Sequence, residues 1–94
     1  MTFDAVESMR RQLAAELGPR GIRVVTLHTG GLPETIPADF AGRDELTRAM
    51  TDQALTGRTA TLADVGNVAV FVASDWARTV SGAAVNMSVG AVLD

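Results

Sequence analysis

Ile22-Arg23-Val24-Val25-Thr26-Leu27-His28-Thr29-Gly30-Gly31 decides how this chain folds. From Ile22 to His28 the residues are almost continuously apolar and rich in β-branched side chains. A half-wet strand of a hairpin would alternate apolar and polar positions; an unbroken run is the mark of a strand covered on both faces in a parallel sheet. The glycines that follow end the strand. In open α/β sheets the loops at that end splay into the crevice where ligands bind.

Upstream, Val6, Met9, Leu13 and Leu17 recur at three- and four-residue spacing, which predicts an amphipathic helix over Asp4 to Leu17. Asp4 and Glu7 have capping-box spacing, and Gly18-Pro19 supplies a stop, glycine accepting a left-handed turn and proline being unable to continue the helix. Downstream, Thr29 to Arg43 carries glycines and prolines with little periodicity. A loop of about 15 residues is long enough to be a functional lid or a disordered segment. Leu46, Met50 and Ala54 predict a short helix from about Asp44 to Leu55.

Thr61-Leu62-Ala63-Asp64 has the form of a second cap, with Asp64 favoured near the positive end of the helix dipole. Leu62, Val65, Val68, Ala69 and Val72 then predict a helix to Ala73. Ala83 to Val89 reads as a closing strand, with Val85, Met87 and Val89 on one face. Two strands joined through a helix are most simply parallel, with a right-handed crossover. The fold class is therefore α/β: a helix followed by a parallel βαβ unit with a loop and short helix inserted, in one segment over residues 1–94.

Composition narrows function. The hydrophobic share of 47% and charged share of 20% are those of a folded domain. The net charge is -3 and the basic residues, all arginine, are scattered, so nucleic acid is not expected as a partner. There is no cysteine, which excludes disulfides and thiolate catalysis. The apolar runs are too short for a membrane span, and Met1-Thr2-Phe3-Asp4 does not open a signal peptide, so a cytoplasmic protein is expected. The sequence contains no Lys and no Tyr. Chemistry that needs an amine or a phenol cannot come from these residues.

Two blocks resemble the short-chain dehydrogenase/reductase family. Arg11-Gln12-Leu13-Ala14-Ala15-Glu16-Leu17-Gly18-Pro19-Arg20-Gly21-Ile22-Arg23-Val24 is similar to the segment after the start of that family's catalytic helix. Gly57-Arg58, Asp64-Val65, Phe71-Val72-Ala73-Ser74-Asp75 and Ser81-Gly82 are similar to its penultimate helix and last strand. The resemblance implies a partial doubly wound, Rossmann-like sheet, without the N-terminal half that binds most of the dinucleotide. It places the family's catalytic Lys at Phe3 and its Tyr before Met1. It also implies that the family's Pro-Gly pair corresponds to Thr29-Gly30, and that Thr29, Gly30, Gly31, Leu32 and Thr35 touch the nicotinamide end of NAD or NADP in a complete member. Thr29 departs from the Pro, and Thr35 stands one place beyond the usual Thr.

The expected function is thus the C-terminal part of an NAD(P)-dependent oxidoreductase, inactive alone and not binding cofactor tightly alone. Its partners would be further copies of itself or a complementary half from the same family, with a small-molecule substrate left open. The alternative is a stand-alone oligomerisation or interaction module derived from that family; a third is a small ligand-binding protein using the Thr29 to Thr35 loop. Each candidate residue also has a plainer reading. The Gly pair is equally a flexible turn; His28, the single histidine, has no second ligand or orienting partner in view. Glu34, Asp39 and Asp44 read as solvated carboxylates. Met9, Leu13, Phe71 and Trp76 read as packing residues.

Overall fold

The structure, a computed structural model, describes residues 3–94, with Phe3 described by its backbone. The N-terminal reading of Met1 and Thr2, and that of the Phe3 side chain, lie outside the described residues. In order, the elements are α1 (Phe3–Leu17), β1 (Val25–Thr29), α2 (Arg43–Gln53), α3 (Leu62–Ala73) and β2 (Ala83–Met87), with 3-10 turns at Gly18–Arg20, Pro33–Thr35 and Asp75–Ala77. β1 and β2 are neighbours in a two-stranded parallel sheet, as the βαβ reading requires. Among the described residues no helix is long and apolar enough to cross a membrane.

The chain divides into two compact units. The first runs to Leu27 and takes in Ala69–Val85. Here α1 begins at Phe3, so Asp4 lies inside its first turn, and the Glu7 carboxylate is ion-paired with Arg10 one turn on. The helix ends at Leu17, as the Gly18-Pro19 stop predicts, but the left-handed residue is not Gly18. Gly18 and Pro19 belong to the 3-10 turn, and Gly21 takes the left-handed conformation at φ 77, its N–H bonding to Gly18 O at 2.9 Å. Ile22, Arg23 and Val24 fall short of the regular strand. Val24 donates to Ser81 Oγ at 3.2 Å and accepts from Gly82 N–H at 2.8 Å, while the Arg23 guanidinium donates to Ala77 O at 3.1 Å and Val80 O at 3.2 Å. These bonds fasten the segment before β1 to the turns that follow α3.

The second unit comprises His28–Val68 and Asn86–Asp94. The expected cap of α3 is present as a reciprocal pair: Thr61 N–H donates to Asp64 Oδ2 at 2.9 Å, and Asp64 N–H to Thr61 Oγ1 at 3.1 Å. β2 ends at Met87, two residues before the expected limit, because the chain turns back on itself there. Ser88 N–H donates to Asn86 Oδ1 at 3.1 Å, Ser88 Oγ donates to the same oxygen at 2.6 Å and accepts from Val92 N–H at 3.1 Å, and Asn86 Nδ2 donates to Val92 O at 2.7 Å. Val89 follows at φ 52, a left-handed conformation that β-branched residues rarely adopt.

The packing readings need correction. Met9 is 43% exposed, Phe71 53% and Trp76 89%, and Leu13 stands at the surface with them, whereas Glu7 and Arg10 on the opposite side of α1 are buried. Among the described residues the buried hydrophobic ones are Ala54, Ala60 and Ala77, and Ser88 is the largest fully buried side chain. A chain of 9.8 kDa that folds as a self-contained monomer exposes about 5,200 Å². This one exposes 6565 Å². The chain therefore covers its apolar stripes only in part: Ala54 is buried and Val6, Leu17, Met50, Val65, Val68 and Val72 are half-buried, while Met9, Leu13, Leu46 and Leu62 stand exposed.

Candidate functional site

The loop after β1 is built by three short-range rules and then held by its neighbours. Gly30 and Gly31 end the strand; Pro33, with φ fixed by its ring, opens the 3-10 turn Pro33–Thr35. Thr35 closes that turn twice, its N–H donating to Leu32 O at 2.9 Å and its hydroxyl to the same oxygen at 2.7 Å. Of the five expected contact residues, the turn thus brings Leu32 and Thr35 together, while Thr29 stands exposed at the end of β1 and Gly30 and Gly31 are half-buried between them.

The two glycines have a structural reason of their own. A Cβ on residue 30 would lie 3.0 Å from Ser88 O, and one on residue 31 would lie 2.7 Å from Met50 Sδ. Residue 30 lets the loop approach the end of β2, and residue 31 lets α2 close over it.

The face of α2 turned inward is Arg43, Thr47, Met50 and Ala54. Leu46, part of the expected stripe, is 39% exposed. Arg43 Nη2 donates to Pro33 O at 3.4 Å. Glu34, which the sequence offered only as a solvated carboxylate, accepts the Leu62 N–H at 3.2 Å across 28 residues of chain, so the loop itself caps the start of α3. Nothing in local spacing marks that contact. The 43, 47, 50, 54 spacing does mark the inner face of α2, and reading it as a stripe regardless of polarity would have found Arg43.

The ionisation of Asp64 is shifted by its neighbours. The Thr61 backbone N–H, then the Thr61 side chain, hold its carboxyl below the ordinary aspartate value, and the Arg58 charge adds to this. Its role is the cap. His28 lies in β1, and among the described residues no three His, Cys, Asp or Glu side chains gather where a metal ion could sit.

A separate cavity of about 370 Å³ lies in the second unit, lined among others by Thr56, Arg58, Val68, Asn86, Val89 and Leu93. None of the five expected residues lines it.

A helix leading into a parallel βαβ unit, with a Gly-rich turn at the carboxyl end of the first strand, defines part of a doubly wound, Rossmann-like sheet. Comparison with known proteins gives the particular family. The family model described as enoyl-(acyl carrier protein) reductase matches residues 4–91. The enoyl-(acyl-carrier-protein) reductase (NADH) of Haemophilus influenzae is 31% identical over 86 residues, covering 92% of this chain and 33% of that protein. Among solved structures, a short chain dehydrogenase from Bacillus anthracis superposes with a TM-score of 0.77 at 29% identity, over 95% of this chain and 34% of that one. A blue fluorescent protein from a metagenomic library, in complex with NADPH, does so with a TM-score of 0.74 at 27% identity, over 96% and 35%. The chain belongs to the short-chain dehydrogenase/reductase family, and it spans about a third of the length of the relatives it matches.

Proposed function

We propose that this chain is the C-terminal part of an NAD(P)-dependent short-chain dehydrogenase/reductase, and that it walls the nicotinamide end of a cofactor site completed by other residues. The observation that carries the reading is the position of Thr29 to Thr35 at the carboxyl end of a parallel strand, where such sheets take their ligands. Exposed Thr29 and the hydroxyl oxygen of Thr35, which still has lone pairs to accept with, are the polar groups offered there. Gly30, Gly31 and Leu32 supply backbone and an apolar wall. A nicotinamide dinucleotide bound at such a site supplies or receives the hydride; these residues would orient its ring and keep water from it.

Proton transfer in the family's reaction calls for a phenol beside an ammonium, and this sequence has neither Tyr nor Lys. The chain alone therefore should not turn over. The test is complementation: the chain is mixed with the N-terminal two-thirds of a short-chain dehydrogenase, and nicotinamide oxidation is followed at 340 nm. The reading expects turnover from the mixture and none from either part. Redox turnover by the chain alone would overturn it.

A second reading, an interaction module, is favoured by one specific observation. Met9, Leu13, Phe71 and Trp76 are apolar and exposed, and the total surface exceeds that of a self-contained monomer by about 1,400 Å², more than one side of a standard interface. Light scattering from 5 to about 500 μM examines it. A folded monomer at every concentration removes assembly as the role.

A further inference from the structure

Among the described residues, three arginines are drawn out of water, and one of them lacks both a counter-charge and a short hydrogen bond. Buried Arg10 is ion-paired with Glu7, although its Nε is also shut off from solvent without a hydrogen-bond partner, and half-buried Arg23 is engaged by backbone carbonyls. Arg11, Arg20, Arg48, Arg58 and Arg78 are exposed to water. Arg43 is half-buried, its Nε is shut off from solvent with no hydrogen-bond partner, and its bond to Pro33 O is long at 3.4 Å. Among the described residues no carboxylate pairs with it. One turn further along α2, Thr47 Oγ1 is also shut off from solvent without a partner.

Positions 43 and 47 share one helix face, the same face whose Met50 closes on Gly31. The nearby carboxylates do not offset the charge: Asp39, Asp44 and Glu45 are exposed to water, and Glu34 is engaged with the Leu62 amide. A guanidinium drawn partly out of water without a counter-charge is costly. So is a hydroxyl with no partner. Both costs fall if the two side chains rotate to receive an oxyanion, since the planar fork of arginine matches two oxygens of a carboxylate or phosphate and a threonine hydroxyl can donate to a third lone pair.

We propose that Arg43 and Thr47 bind an oxyanion, a carboxylate or phosphate group, on the small molecule that occupies the crevice at the end of β1. This rests on the ligand site proposed above and assigns α2 the part that reads the ligand's charge. The anion belongs either to a cofactor phosphate or to an acidic substrate.

The test is ¹⁵N NMR of the 94-residue chain, including the arginine Nε–H region, titrated with inorganic phosphate and separately with butyrate, against sodium chloride at matched ionic strength. The Arg43 Nε–H signal should move and saturate with phosphate or butyrate but not with chloride. Followed in the variants at the backbone amides of residues 47 and 50, Arg43→Gln should abolish saturation, Arg43→Lys should weaken it roughly fivefold by losing the planar fork, and Thr47→Val should weaken it roughly threefold. Spectral dispersion shows which variants remain folded, and the two milder ones carry the test if Arg43→Gln does not. NADH displacing phosphate would assign the anion to the cofactor; NADH binding beside it would assign it to the substrate. Shifts equal in chloride, or saturation undiminished in folded Arg43 variants, would overturn the proposal. The complementation assay reports separately on the cofactor reading: phosphate saturating Arg43 in a chain that yields no turnover with the N-terminal part would sink that reading alone.

Discussion

Replacing Arg23 by Ala should destabilise the chain by about 2 kcal/mol. The magnitude follows from which bonds are lost and which acceptors keep another donor. Nη1 reaches Ala77 O at 3.1 Å and Val80 O at 3.2 Å, while Nη2 reaches Ser74 O at 3.5 Å, the outer limit of a useful bond. Ala77 O also accepts Val80 N–H at 2.9 Å, and Ser74 O accepts Ala77 N–H at 3.1 Å, so neither is orphaned by truncation. Val80 O depends most on the arginine. Two charge-assisted bonds at a half-buried site, one of them to an acceptor with a second donor, come to about 2 kcal/mol rather than the 4 or more of a simple sum. For a chain of this size that is about 10 °C in Tm. The assay is urea unfolding followed by far-UV circular dichroism. Trp76 is 89% exposed in the folded chain, so its fluorescence has little environment left to lose. Arg23→Lys should recover about half, since an ammonium cannot span the carbonyls as a planar fork does. Arg20→Ala, at an exposed position, is the control and should stay within about 0.5 kcal/mol of the parent. Arg23→Ala matching that control, at unchanged m, would refute the argument.

Three further perturbations are specified by the structure. Thr61→Ala should cost about 1 kcal/mol through loss of the α3 cap. Because the Asp64 pKa is lowered on folding, its contribution is complete above the unfolded value and fades as pH falls through the lower folded one; the urea midpoint of the parent should therefore drop more steeply in acid than that of Asp64→Asn, and parallel curves would contradict the cap. Gly31→Ala should cost about 1–3 kcal/mol by driving Met50 off the loop, with much of that cost absent in a Met50→Ala background; additive effects in the double-mutant cycle would show that the two do not touch. Ser88→Ala removes a buried hydroxyl that serves both Asn86 and Val92, and should cost about 1–3 kcal/mol while speeding hydrogen exchange at the Val92 amide, where unchanged exchange would count against the turn.

Patterns with a local cause were legible. The α3 cap could be read from Thr61 and Asp64 because its bonds close within one turn, and α3 itself occupies Leu62–Ala73 as its spacing predicts. The parallel pairing could be read from the unbroken apolar run into β1. Boundaries set by distant partners were not legible: β1 starts at Val25 because residues 23 and 24 are taken by the segment from Ala77 to Gly82, and β2 ends at Met87 because Asn86 and Ser88 bond forward to Val92. At the candidate site, Gly30, Gly31, Leu32 and Thr35 were nameable in advance as a turn at a strand end. That Glu34 caps another helix was not, and Arg43 was nameable on the inner face of α2 only by a stripe read without regard to polarity.

Residue order alone determined that this chain is α/β, that its strands run side by side in one direction, and that it contains neither amine nor phenol side chains, since these follow from periodicity and from residue identity. Tertiary structure decided which way each helix faces. An apolar stripe has a period but no address: on α1 its middle, Met9 and Leu13, is exposed while an ion pair is buried, and on α2 Leu46 is exposed while Arg43 is half-buried beside Met50 and Ala54. Where a stripe is buried depends on what packs beside it, and that is a property of the assembled chain rather than of any window within it.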